Sequence, residues 1–160
     1  MKPGTIIFFG TLLLIFMILV SACSKQTFTA EGKFVAEERR LDLKEGGPFP
    51  RDWQGRHLAI KYEYIRKQDD FQIMGDINFK RERRLQGFRC SVVLIDSTGK
   101  VLHVQGLVVA GGRQKIEKIP FKLAFQLPPG SQSMAFSYSG TSGGGGQSGG
   151  PSSFWSSPWS

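Results

Sequence analysis

An all-β fold is predicted by three features of the chain. From His57 onward apolar residues recur at every second position, the period of a strand with one buried face. These alternating runs are separated at fairly even intervals by clusters of glycine, proline, serine and aspartate, which are turn formers. Beyond the N-terminal apolar run, no stretch shows the apolar spacing of a helix of ordinary length.

Taken in order, Thr27–Val35 reads as a first strand, and Glu37–Asp52, rich in charge and holding Gly46, Gly47, Pro48 and Pro50, as a long connection covering a sheet edge. Leu58, Ile60, Tyr62 and Tyr64 alternate with Ala59, Lys61 and Glu63; Phe71, Ile73, Ile77 and Phe79 repeat the pattern. Gly87–Ile95 is more continuously apolar, as suits a strand near a sheet centre. Asp96-Ser97-Thr98-Gly99-Lys100 then supplies hairpin chemistry, and Val101–Val109 returns as the partner strand. Ala110–Arg113 is the next turn. Phe121, Leu123, Phe125 and Leu127 share one face of the strand that Pro128-Pro129-Gly130 stops, and Met134, Phe136 and Tyr138 mark the last strand, Ser133–Tyr138. Strands at this spacing predict an immunoglobulin-like antiparallel β-sandwich of about seven strands over residues 27–139. A small β-barrel is the alternative, because the same alternation also closes on itself.

The N-terminus carries a different signal. Ile6–Val20 is apolar apart from Gly10 and Thr11, and Lys2 precedes it. A bilayer-crossing helix needs roughly 20 apolar residues, whereas a secretory signal combines a basic start, about 7–15 apolar residues and small residues before the cut. The shorter run fits the signal. Val20-Ser21-Ala22-Cys23 resembles the lipobox of bacterial lipoproteins, an aliphatic residue and two small ones before the cysteine whose thiol receives a diacylglycerol. That resemblance implies a signal peptide over residues 1–22, cleavage before Cys23 and a lipidated tether over 23–26. Several acyl chains on one residue hold a protein stably on a membrane. It also implies a cell-envelope protein; Ser24, where inner-membrane lipoproteins carry aspartate, points to the outer membrane facing the periplasm if the source is Gram-negative. The alternative is an uncleaved anchor, which reaches across a thin bilayer if Pro3 and Ala22 join a tilted helix.

Three short stretches, Gly75-Asp76-Ile77-Asn78-Phe79, Asp96–Leu102 and Ile119-Pro120-Phe121, resemble small extracytoplasmic sandwich domains of bacteria. Such domains serve as binding or spacer modules without shared catalytic residues, so the resemblance assigns no site.

Catalytic chemistry is not indicated. The cysteines are Cys23 and Cys90. With Cys23 lipidated the fold has no disulfide, and Cys90, in the alternating row Phe88, Cys90, Val92, Leu94, reads as core rather than as a reactive thiol. His57 and His103 have no metal-ligand spacing, and two histidines with one cysteine fall short of a zinc site. Glu37-Glu38 and Asp69-Asp70 adjoin basic residues and read as solvated loops; no acidic loop has calcium spacing. The glycine runs do not lie between a strand and a helix, so no phosphate loop is present. The expectation is a non-enzyme with no metal and no cofactor.

Binding has better candidates. The chain holds 21 Lys and Arg against 13 Asp and Glu, a formal charge of +8. Lys80-Arg81-Glu82-Arg83-Arg84, with Arg89 beyond, is expected between two strands, crowding positive charge at one end of the domain. In an exported protein the matching partner is an envelope protein, anionic lipid or lipopolysaccharide and not nucleic acid. An ordinary charged loop that keeps a hairpin soluble is the alternative. Residues 140–160 read as a flexible Gly/Ser-rich tail. Its terminal Phe154, Trp155 and Trp159 suit contact with a partner or a membrane headgroup layer, or else fold back on the domain. The functional expectation is a lipid-tethered, non-catalytic module that docks a partner protein or envelope polymer. The alternative is a carrier holding an apolar ligand between its sheets, suggested by thirteen phenylalanines.

Overall fold

The computed structural model describes residues 30–112, 115–143 and 152–159, and for Glu82 and Arg83 the backbone alone. The signal peptide (1–22), lipobox and tether (23–26) expected from the sequence lie outside the described residues. Among the described residues the chain is all-β. Its strands are β1 (Leu41–Asp42), β2 (Gly46–Gln54), β3 (Leu58–Lys67), β4 (Asp70–Ile95), β5 (Val101–Ala110), β6 (Lys115–Gln126), β7 (Ser133–Ser142) and β8 (Ser152–Ser156). Every pairing is antiparallel, and together the strands make one curled sheet, a half-barrel.

The architecture follows from β4, a single strand of 26 residues where the sequence reads as two. Its first half, Asp70–Phe79, lies between β3 and β6, with β2 beyond β3. Its second half, Leu85–Ile95, lies between β5 and β7, with β1 and β8 on the far side of β7. Two wings therefore share one strand. The pairing with β3 ends at Phe79 and that with β7 begins at Leu85, so Lys80–Arg84 is the transit between wings. On its other side the ladder to β6 breaks between Asn78 and Arg83, a bulge that lets the strand turn. The expectation of a loop at Lys80–Arg84 is thus corrected: these residues form a bulged corner inside β4.

A second irregularity keeps the apolar face inward through the turn. The β4 residues of the main core are Phe71, Ile73, Ile77, Phe79 and Leu85, at odd positions, and then Phe88, Cys90, Val92 and Leu94, at even positions, while Val93 and Ile95 are buried on the opposite face in a second cluster. The switch occurs where the ladder to β7 slips, between Leu85 and Gly87. One extra residue in a strand reverses which side chains face the core. Here it restores the inward face after the bend.

The wings then meet through aromatic side chains. Trp53 of β2 lies 5.4 Å from Phe136 of β7, and Tyr62 of β3 lies 5.1 Å from the same ring. At the corner Phe79 and Phe88 pack edge to face at 5.1 Å. Phe154 of β8 closes that corner, with ring centroids 6.4 Å from Phe79, 6.3 Å from Phe88 and 5.6 Å from His57. It sits directly across from Gly140, where a Cβ would collide with its ring; only glycine leaves space for the phenyl group. Residues 152–156 are therefore a paired strand, not part of a flexible tail. All five residues pair with β7, and this ladder together with the buried Phe154 ring works against the ordering entropy of a serine-rich segment.

Other departures from the sequence reading are local. The stretch expected as a long connection contains β2, an edge strand in which Phe49 and Trp53 pack on the core while Pro48 and Pro50 are exposed. Prolines are tolerated on such an edge because its outward N–H groups have no ladder partner. The described part of the expected first strand, Ala30–Val35, makes isolated bridges, Phe34 to Lys100 and Val35 to Trp159. A second apolar cluster lies there, on the outer side of the second wing: Ala30, Val35, Val93, Ile95, Val101 and Ala135, with Trp159 against it.

The β4–β5 hairpin is held by Asp96. Its carboxylate accepts hydrogen bonds from the Thr98 hydroxyl (2.7 Å), the Thr98 amide (2.8 Å) and the Lys100 amide (2.9 Å), while Gly99 takes φ of 96°. The Thr98 hydroxyl, aided by these amides, holds the Asp96 pKa below its ordinary value of 3.8. The folded hairpin thus binds fewer protons than the unfolded chain. The stabilisation is complete above about pH 4 and is lost as pH falls through the depressed folded-state pKa. Thermal melts of an Asp96→Asn variant should therefore give a lower Tm than wild type at neutral pH, with the gap closing in acid.

Phe154 provides a second test. Truncation to alanine empties the corner and should cost about 3 kcal/mol. Urea unfolding should show this loss, and amide exchange should show Ser152–Ser156 losing protection first.

Candidate functional site

Two exposed surfaces collect the residues that the sequence marks for binding. The first is the corner. Lys80, Arg81 and Arg84 are exposed there, and Arg84 stands opposite Lys115 in register. Arg83 is placed by its backbone, opposite Ile116. Lys118, two residues past Ile116 on β6, donates to Asp76 at 2.9 Å, so part of the charge near the corner is already compensated. Lys80, Arg81 and Arg84 face water on a segment that no second strand covers.

The second surface is the outer face of the second wing. Register places Val109 of β5 beside Arg89 of β4, Arg89 beside Ser139 of β7, and Ser139 beside Trp155 of β8. Directly paired residues project to the same face of a sheet, so these four side chains form one row across four strands. Val109 is 77% exposed and Trp155 69% exposed, and Arg89 and Ser139 are also open to water. Small residues flank the row: Gly87, Thr141 and Ser153 stand in the neighbouring register, leaving a shallow groove between Arg89 and Trp155. The other end of this face is covered by Ala30–Val35 and Trp159.

The structure thus divides the residues that sequence grouped. Arg89 lies beyond the second β4 irregularity, in the row with Trp155, apart from Lys80–Arg84. Phe154 is core, Trp155 is surface, and Trp159 packs on the outer cluster with the Lys33 ammonium 5.4 Å above its ring. Phe154 is thereby removed from the set of contact residues. Its alternation with Trp155 is that of any strand, one side chain in and one out. Val109 and Ser139 were not singled out by sequence. Val109 is one of three successive apolar residues, Leu107–Val109, in which sequence does not tell the inward from the outward side chain, and serine in a strand carries no signal.

Cys23 and the lipobox residues Val20, Ser21 and Ala22 lie outside the described residues. Cys90 is fully buried, and burial pushes its thiol up to about 12. His57 faces the interior, its Nδ1 3.1 Å from the Tyr138 hydroxyl, and His103 Nδ1 lies 3.5 Å from a Glu31 carboxylate oxygen. Burial likewise raises Tyr62 to about 12, with neighbouring Tyr64 adding to the effect. Among the described residues no three of His, Cys, Asp and Glu gather in a metal-binding arrangement. No protein-family model, no characterised protein and no solved structure matches the chain.

The Cys90 environment makes a direct prediction. At pH 8 a thiol reagent should leave Cys90 of the native protein unmodified and react fully once denaturant is added; rapid native labelling would contradict the buried assignment.

Proposed function

We propose that this chain is a non-catalytic lipoprotein of the cell envelope, a lipid-tethered β-domain that docks a partner protein or envelope polymer. The observation that carries this reading is Val20-Ser21-Ala22-Cys23 directly after the apolar run Ile6–Val20. Small residues admit the chain to a peptidase, and the thiol is the one group there that can be alkylated. Outer-membrane attachment follows from Ser24 for a Gram-negative source. The two wings are read as layers of a sandwich, which is supported by Trp53 and Tyr62 of one wing lying against Phe136 of the other.

Docking is assigned to the exposed charge at the β4 corner, where Lys80, Arg81 and Arg84 suit an acidic protein surface or the phosphates of an envelope polymer. The carrier alternative draws less support. Phe71, Phe79, Phe88, Phe121, Phe136 and Phe154 are buried, and the rings of Phe79, Phe88 and Phe154 pack on one another. They are accounted for as core.

The test is the N-terminal peptide mass of the protein expressed in a bacterial host, beside a Cys23→Ala variant. Diacylglycerol mass on Cys23, absent from the variant, is the expected result. An intact Met1 terminus with Ile6–Val20 attached would replace the lipid tether with a membrane-spanning anchor.

A further inference from the structure

The three large apolar residues most exposed among those described are Val109, Trp155 and Phe34, the last 62% exposed. Val109 and Trp155 share the outer row of the second wing. Phe34 belongs to the segment laid over the same face: its neighbour Val35 points into the outer cluster, so in extended chain Phe34 points away from the sheet. Cations accompany them. Arg89 stands between Val109 and Ser139 in the row, Lys100 pairs with Phe34, and Lys33 lies over Trp159. Two carboxylates near these cations have partners of their own: Glu31 lies against His103, and Asp96 accepts from the Lys100 amide and from Thr98.

Chain length adds a geometric constraint. Ala30 is buried in the cluster on this face, so the chain enters the domain here. From Cys23 to Ala30 the backbone spans at most about 25 Å when fully extended. A ten-residue strand such as β5 is about 33 Å long. A lipid on Cys23 therefore cannot hold the body away from the bilayer by more than its own dimensions, and the face of chain entry is the one nearest the anchor.

We propose that the outer face of the second wing lies on the bilayer that holds the lipid, with Trp155 and Phe34 in the headgroup layer and Arg89 on the phosphates of anionic phospholipid. This rests on the lipid-tether reading. Tryptophan favours the interface because its ring is apolar and its N–H can remain hydrated, and basic residues gain from the negative surface potential. The small residues beside the row, Gly87, Thr141 and Ser153, leave Trp155 standing proud of the sheet, so it can enter the headgroups without moving the backbone.

The experiment uses the full lipidated chain in vesicles of phosphatidylcholine with and without phosphatidylglycerol, with N-terminal peptide mass measured on the same preparation. Tryptophan fluorescence is quenched either by lipids brominated near the headgroup or by acrylamide in the water. Wild type should be quenched by brominated lipid, more strongly with phosphatidylglycerol present. Trp155→Phe should lose most of that quenching, and Arg89→Glu should lose the added effect of phosphatidylglycerol while retaining its Tm. Lipid mass on Cys23 together with a Trp155 signal quenched by acrylamide alone would overturn the proposed face and leave the tether standing. A terminus without lipid would overturn the tether and, with it, this orientation.

Discussion

The structure depends on the bend of one strand. Running straight, the 26 residues of β4 would extend about 86 Å, and the apolar faces of the strands on either side of it would have nothing to cover them. Bending at Lys80–Arg84 brings the two halves of the sheet toward each other, so that each wing supplies the other with a core. The residues at the bend show how this is achieved. The ladder to β6 opens between Asn78 and Arg83, and the ladder to β7 slips between Leu85 and Gly87. The first irregularity turns the strand and the second restores its inward face. Phe79 and Phe88 can meet at 5.1 Å only because both occur.

That geometry also determines where charge can go. A segment between two wings is covered on one side at most, and its backbone and side chains must stay hydrated. Charged residues serve there, four basic and one acidic, since charge on an uncovered strand resists pairing with another chain. The same bend leaves a wedge between Phe79 and Phe88, which Phe154 fills from β8. With Phe154 turned inward, Trp155 must face out, so an exposed aromatic ring on the outer face follows from the need to seal the corner. The exposed basic corner, the outward Trp155 and the core are thus consequences of one deformation.

How much of this is legible in the sequence varies with the element. β3 and β6 show their alternation plainly, because each has one face on the core and one toward water, and β7 shows it in Met134, Phe136 and Tyr138 although its first residues are buried on both faces; β5 is marked by its turn and its apolar content, not by alternation. β2 does not: Gly46-Gly47-Pro48-Phe49-Pro50 reads as punctuation, and only Phe49 and Trp53 report that the segment is packed. The continuity of β4 is hidden because Lys80–Arg84 breaks the apolar pattern that both halves obey, and the change from odd to even burial looks like two registers. β8 is hidden for the opposite reason. Its composition is that of a linker, and only Phe154, whose ring lies against Gly140 in the ladder to β7, marks it as packed. The all-β class survives these errors because it rests on many residues, while the contact face rests on a register between strands that local sequence does not encode.

The kind of action open to such a protein follows from where its groups lie. The Cys90 thiol and the Tyr62 hydroxyl, both driven to about 12 by burial, stay protonated inside the core. What faces water is charge and aromatic surface, suited to contact. On the lipid-tethered reading, contact gains from confinement. A body held within about 25 Å of a membrane samples a thin layer instead of a volume, and the effective concentration at any partner in that layer rises accordingly. A tether much longer than the body would dilute this effect and free the domain to tumble. The short link from Cys23 to Ala30 restricts tumbling, so the orientation of the β4 corner relative to the bilayer becomes a property of the chain itself.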